Sequence, residues 1–337
     1  GSSTFGGSRC ANSGLWRGFP AWWACPAPVT MSSGSSARAT KANLTGQLTP
    51  LAQKRITKER QRIEQERKEL EECGIFTVWG DEIHKVTALI VGPEGTPYEH
   101  GFYFFDIQIP DNYPLLPPHV DFKTGDGRVR FNPNLYVEGK VCLSILGTWS
   151  GPSWTTSCQL RTVLVSIQSL LNEHPIQNEP GHEKETGRDD KAYSEIIRYE
   201  NIAVGVVRML QRTPGKFEAF RPHMRRIFLK NAEAYLRTLE AYEGREGTSV
   251  RSPIWNFPVR YRAKELAAEL RELRVVLEKE EAAAGNPPPE PSSAGSSASA
   301  AGASSSASAA AAAAPAAVRR REAPPAATSA EKRPRVA

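Results

Sequence analysis

The chain has no Cys-x-x-Cys pair, no apolar run near the ~18 residues that span a bilayer, and no acidic side chain in its first 48 residues. Its five cysteines (Cys10, Cys25, Cys73, Cys142, Cys158) are odd in number and irregularly spaced. That pattern encodes neither a disulfide framework nor a zinc site, and it fits a reducing, intracellular compartment. No metal and no membrane partner are expected. Positive charge is also missing where it would matter most. The formal net charge is +6, but the two ends hold ten basic and three acidic residues; removing them from the totals of 43 and 37 leaves 33 basic against 34 acidic between residues 49 and 285. Nucleic-acid binding needs a basic face on a folded body, so nucleic acid is not an expected partner either.

The ends have little with which to build a core. FPAWWACP, bracketed by Pro20 and Pro26, reads as a leader or as sequence upstream of a native start at Met31, which opens a Ser/Gly-rich stretch. Residues 34–43 have the composition of a disordered arm. After Gly285 an Ala/Ser/Pro tract closes on EKRPRV, with Arg319 to Arg321 upstream. The tract is expected to be disordered and its end to form a weak nuclear-import-like cluster.

Between the ends the periodicities are clearer. Thr49-Pro50 is a capping pair at the start of a charged helix whose Ile56, Ile63 and Leu70 recur every seven residues. The rest of that helix, including Glu59, Glu64 and Glu66, reads as a solvated face laced by i,i+4 pairs. IFTVWG, HKVTALIVG and GFYFFDIQIP follow as strand-like runs ended by Gly or Pro, with HVDFKT as a fourth. Tyr113 to Pro118, YPLLPP, reads as an extended exposed loop that carries Leu115 and Leu116 either into the core or onto a docking surface. LRTVLVSIQSLLNE, DKAYSEIIRYENIAVGVVRMLQ and HMRRIFLKNAEAYLRTLEAYE are helical, and GREGTSVRSPIWNFP is a loop before a last helix, VRYRAKELAAELRELRVVLEKEEAAA. Strands first and helices after give an α+β class with an antiparallel meander.

The segment FNPNLYVEGKVCLSILGTWSGPSW raises the chemical question. Cysteine is among the most buried residue types, so Cys142 could be a small apolar residue. A thiol is also intrinsically nucleophilic, and its thioester can pass an acyl group on. The Asn132-Pro133-Asn134 turn and Gly139 argue for an accessible, loop-lined Cys142, whereas Cys73 and Cys158 read as buried and inert.

These markers occur in a fixed order: helix, meander, Tyr-Pro-x-x-Pro-Pro, Asn-Pro-Asn, cysteine eight residues later, Trp149, then helices. The order resembles the ubiquitin-conjugating enzymes. Asn132 stands where the family pattern has histidine, and Cys142-Leu143-Ser144-Ile145-Leu146 where most members have Cys-Leu-Asp-Ile-Leu. With Trp149-Ser150-Gly151-Pro152, the phrase NEPG and the long C-terminal helices, the likeness is to the Z subclass. It covers residues 49–212, extends more loosely over 213–283, and leaves both ends outside.

The resemblance implies a ubiquitin-conjugating fold: N-terminal helix, four-stranded meander, C-terminal helices. The division it implies is an arm over 1–48, a catalytic core over 49–212, a helical extension over 213–285 and a tail over 286–337. Cys142 would accept ubiquitin, or a ubiquitin-like modifier, from an activating enzyme as a thioester and pass it to substrate lysines, usually with a ligase. Asn134 would stabilise an oxyanion or hold its loop. Glu179, aligned if one residue is inserted, would orient the acceptor lysine, with Glu173 as the fallback and a plain solvated acid as the bland alternative. Leu115, Pro152 and Ser153 would meet partners. No cofactor is bound, ATP being used by the activating enzyme, and the location implied is cytoplasmic and nuclear. Two alternatives stay open: an inactive ubiquitin-binding scaffold, and a cysteine hydrolase that activates Cys142 through one of the six histidines.

Overall fold

A computed structural model describes residues 44–285. The expectations for FPAWWACP, Met31 and the arm to Asn43, and those for the tract and basic cluster after Gly285, lie outside the described residues.

Thr49 caps helix α1 (Pro50–Gln65), its hydroxyl accepting from the Ala52 amide at 3.2 Å while Pro50 takes the first turn. Helix α2 (Arg67–Glu72) follows a break at Glu66, and Ile56, Ile63 and Leu70 are buried along one stripe. Glu59 departs from the reading as a solvated acid. It is buried, accepts from the Tyr113 hydroxyl at 2.8 Å and the Leu160 amide at 2.7 Å, and pairs with Arg55. A buried carboxylate needs such donors, and here they join α1 to the turn at Tyr113 and to the chain at Leu160.

Strands β1 (Ile75–Trp79), β2 (Lys85–Val91), β3 (Phe102–Gln108) and β4 (His119–Phe122) form an antiparallel sheet in chain order, with Phe105 opposite both Ala88 and Phe122. β3 is buried over six of its seven residues, so both its faces are covered, which its unbroken apolar run requires. Tyr103 packs toward Phe131 on one face, with ring centroids 5.5 Å apart. Phe104, on the opposite face, stacks at 4.6 Å on Phe217, and Lys216 reaches Asp106 at 2.7 Å. The segment Gly215–Phe220 therefore covers the face of the sheet opposite the Asn-Pro-Asn turn.

The helices are α3 (Leu160–Leu170), α4 (Arg188–Glu200), α5 (Met209–Gln211), α6 (Arg221–Glu240) and α7 (Ala263–Gly285), with a π-helical stretch Asn201–Arg208 joining α4 to α5. Two sequence expectations are corrected here. The stretch read as a loop contains the hairpin β5 (Ser249–Arg251) and β6 (Pro258–Arg260), so the last helix begins only at Ala263. These strands are three residues each, too short for a period-2 signal. YPLLPP is a turn rather than an extended loop, with Tyr113, Pro114 and Pro118 buried.

Candidate active site

Cys142 follows the isolated bridge between Leu135 and Val141 and precedes the 3-10 turn Ser144–Leu146. The chain is brought there by a close approach at Gly139, whose φ is +103° and whose carbonyl accepts from the Phe122 amide at 2.7 Å. A Cβ at Gly139 would come within 3.1 Å of the Phe122 carbonyl oxygen, so glycine is required by both conformation and space.

Asn134 and Cys142 are joined twice. The Cys142 amide donates to the Asn134 carbonyl at 2.8 Å, and Asn134 Nδ2 donates to the Cys142 carbonyl at 2.7 Å. The turn behind them rests on Asn132, which accepts from the Asn134 amide at 3.0 Å and donates Nδ2 to the Tyr98 hydroxyl and the Leu170 carbonyl, each at 2.8 Å. The Tyr98 hydroxyl in turn donates to the Phe131 carbonyl at 2.8 Å, and burial pushes its phenol far above the ordinary range. Asn132 therefore meets a hydroxyl, a carbonyl and an amide with one amide side chain, which suits a site that needs both donor and acceptor.

Sequence reasoning missed Thr148. Its hydroxyl accepts from the Leu143 amide at 2.9 Å and lies 2.7 Å from the Val141 carbonyl, to which it donates. It thus ties the backbone on both sides of Cys142. The available signal was a hydroxyl residue in a loop, a type that commonly bonds nearby backbone.

Two expectations need correction. Cys142 is in a loop, as read, but it is buried, with 0% exposure rather than an accessible surface. Its backbone is held on both sides by Asn134 and Thr148, and the following loop returns on Ser144, where a Cβ at Gly151 would lie 3.0 Å from Ser144 Cβ. Cys73 is exposed rather than buried, at the C-terminal cap of α2 where the helix ends. Cys158 is buried as expected.

Glu179 is half-buried at the end of the 3-10 turn Pro175–Asn178. Nearby, the Tyr193 hydroxyl donates to the Arg130 carbonyl at 2.8 Å, and burial pushes its phenol well above the ordinary range. The fallback, Glu173, is exposed. Leu115, Pro152 and Ser153 are all exposed, Leu115 at 61%. Trp154 draws their two loops together, its indole N–H donating to the Pro114 carbonyl at 2.7 Å and its ring lying 5.8 Å from Tyr113. Among the described residues no histidine hydrogen-bonds to Cys142; His174, for instance, is engaged with Asp190 at 2.8 Å. No group of three or more His, Cys, Asp or Glu among these residues is placed to hold a metal.

Comparison with known proteins bears on the same segment. The family model described as ubiquitin-conjugating enzyme matches residues 55–199. A ubiquitin-conjugating enzyme E2 Z of Xenopus tropicalis is 48% identical over 156 residues, 46% of this chain and 50% of that protein. The E2 Z of Danio rerio is 41% identical over 195 residues, 57% of this chain and 60% of that one. A solved E2 domain from Toxoplasma gondii is 35% identical, matching 38% of this chain and 80% of that one at a TM-score of 0.31. The chain thus spans 50% and 60% of the length of the two curated relatives. The meander, the Asn-Pro-Asn turn and Cys142 all fall inside the matched residues, and the segment 55–199 is a ubiquitin-conjugating enzyme domain similar to that of the Z members.

Proposed function

We propose that Cys142 accepts ubiquitin, or a ubiquitin-like modifier, from an activating enzyme and transfers it to lysine amines of substrate proteins, usually with a ligase. The observation that carries this is the double bond pattern between Asn134 and Cys142. The Asn134 amide has two N–H groups, and the Cys142 carbonyl takes one. The second is left for an oxyanion when an amine attacks the thioester. Holding the loop and stabilising charge are therefore compatible roles for one side chain.

A buried thiol has to be uncovered before it can attack. The loop beside it has Gly147 and Gly151 at φ of +68° and +132°, and its exposed Gly151 and Pro152 are the segment we assign to that opening. A free lysine, with a pKa near ~10.4, is almost wholly protonated at neutral pH, so an acid must orient it and take its proton. Glu179 is our candidate, half-buried at the end of the Pro175–Asn178 turn. Leu115, with Pro152 and Ser153, forms the docking surface for activating enzyme and ligase. No bound cofactor is needed, since ATP is consumed upstream, and the protein acts in cytoplasm and nucleus.

The test is incubation of the full chain with activating enzyme, ATP and ubiquitin. A ubiquitin adduct that reducing agent removes supports the proposal. Binding of ubiquitin without an adduct would indicate a scaffold, and cleavage of a ubiquitin fusion a hydrolase.

A further inference from the structure

The hairpin β5–β6 ends in an unusual turn. Trp255 and Asn256 are consecutive residues at φ of +57° and +52°, a left-handed conformation in which a bulky non-glycine side chain is rare. Surrounding bonds hold them there: the Ser252 amide donates to the Phe257 carbonyl at 3.0 Å, the Ser252 hydroxyl to the Ile254 carbonyl at 2.6 Å, and the Arg251 guanidinium to the Asn256 carbonyl at 2.8 Å. A backbone held in a sparsely populated region by several bonds calls for a reason in what its side chain does.

The Trp255 ring lies against Arg130. The guanidinium carbon of Arg130 is 3.9 Å from the centroid of Trp255 and 3.9 Å from that of Tyr136, so the planar cation is held between two aromatic faces. Its Nε is buried without a hydrogen-bond partner, as expected where stacking fixes the group. One terminal nitrogen is directed onto the Pro133 carbonyl at 2.7 Å. Pro133 immediately precedes Asn134, and Tyr136 is two residues beyond it. Tyr193 closes the arrangement, meeting Trp255 edge to face at 5.9 Å while its hydroxyl donates to the Arg130 carbonyl.

We propose that Trp255 is a positioning residue for the acyl-transfer step: it clamps Arg130 against Tyr136 and so fixes the Pro133 carbonyl and the orientation of Asn134 toward Cys142. This deepens the transfer reading and rests on it. The C-terminal extension thereby sets the geometry of a turn more than a hundred residues earlier in the chain. Trp255 touches neither Cys142 nor Asn134 in any bond described, so its effect falls on the step that depends on Asn134 orientation and not on forming the thioester.

The experiment compares the full-length wild type with Trp255→Ala, Trp255→Leu and Trp255→Phe, measuring ubiquitin charging and single-turnover discharge to free lysine over a range of lysine concentrations. Leucine keeps apolar bulk but offers no π face; phenylalanine keeps the face. A small misplacement at a reacting centre is able to cost about 10²-fold, so discharge at saturating lysine is expected to fall between about ten- and a hundredfold for Ala and Leu. Charging and the half-saturating lysine concentration stay near wild type, and Phe restores most of the rate. Amide hydrogen exchange is the readout that does not depend on activity: residues 131–136 exchange faster in the Ala and Leu proteins while residues 102–108 do not. Discharge within twofold of wild type for Leu overturns the proposal, as does faster exchange in both segments together or failure of Phe to restore the rate. If Ala does not fold, Leu and Phe decide. A wild-type chain that never charges overturns the transfer reading itself, whereas a charging wild type with an indifferent Leu protein overturns only the role of Trp255.

Discussion

At the scale of single residues, the site is built from side chains that each settle more than one backbone group. Asn132 serves Tyr98, Leu170 and Asn134; Asn134 grips Cys142; Thr148 bridges Val141 and Leu143. Because Asn134 is tied to the Cys142 carbonyl, Asn134→Ala is expected to lose both functions unequally. Thioester formation should persist, while discharge to lysine falls about 10²- to 10³-fold, the usual cost of one oxyanion donor. Charging and discharge assays run in parallel check this, and equal loss of both would leave only the holding role. Thr148→Val keeps the shape but strands the Leu143 amide, at a cost of about 1–3 kcal/mol if water does not replace the hydroxyl. Thermal unfolding measures it. At this scale the pairing of Asn134 with Cys142 was legible, because their spacing is a property of the chain. It was not legible for the burial of Cys142 or the exposure of Cys73, which depend on which side of a loop or helix end faces the body.

At the scale of elements, α1 and the two loops near Leu115 and Pro152 share one set of anchors. Glu59 binds the Tyr113 hydroxyl, and Trp154 binds the Pro114 carbonyl, so Leu115 is presented on a turn fixed from two directions. A leucine 61% exposed contributes little to the core. Leu115→Ala should therefore change stability by no more than about 0.5 kcal/mol, the usual range of a surface substitution, while ligase-stimulated discharge weakens. A fall of about 2–5 kcal/mol, as for a core leucine, would refute the docking role. The long helices and the meander were readable because their apolar periods run over many residues. The short β5 and β6 were not, and Glu59 looked like Glu64 and Glu66, because burial of one acid in a charged helix leaves no mark in composition.

At the scale of the whole molecule, the extension is bound to the core by aromatic packing and by charged contacts, among them Lys216 on Asp106 and a cluster around Arg128. Arg128 contacts Glu200 through two nitrogens at 3.0 and 3.2 Å, Asp126 at 2.9 Å and the Pro258 carbonyl of β6 at 2.7 Å. Glu200 is only 2% exposed, and burial pushes its carboxyl above the ordinary value despite Arg128. A raised folded-state pKa means that the folded protein holds this proton more tightly than the unfolded chain. The contribution is complete below the unfolded pKa of about 4.3 and is lost as pH rises through the folded value. Removing the guanidinium raises that value further. Arg128→Met is therefore expected to cost about 3 kcal/mol at neutral pH, the low end for a broken buried pair because Arg128 is partly hydrated. The loss should shrink toward pH 4.5, and adding Glu200→Gln should remove that dependence. Melting temperatures across this range test the sign; a loss that grows as pH falls would contradict it.

The central claim is that Cys142 itself carries the acyl group, and it is tested most directly by charging Cys142→Ser beside the wild type with activating enzyme, ATP and ubiquitin. An oxygen nucleophile gives an ester that thiols do not cleave readily, whereas a thioester is exchanged by them. The account predicts a thiol-labile adduct on the wild type, a thiol-resistant adduct on Cys142→Ser, and unchanged charging for Cys73→Ser and Cys158→Ser. A thiol-labile ubiquitin adduct that survives on Cys142→Ser would contradict it.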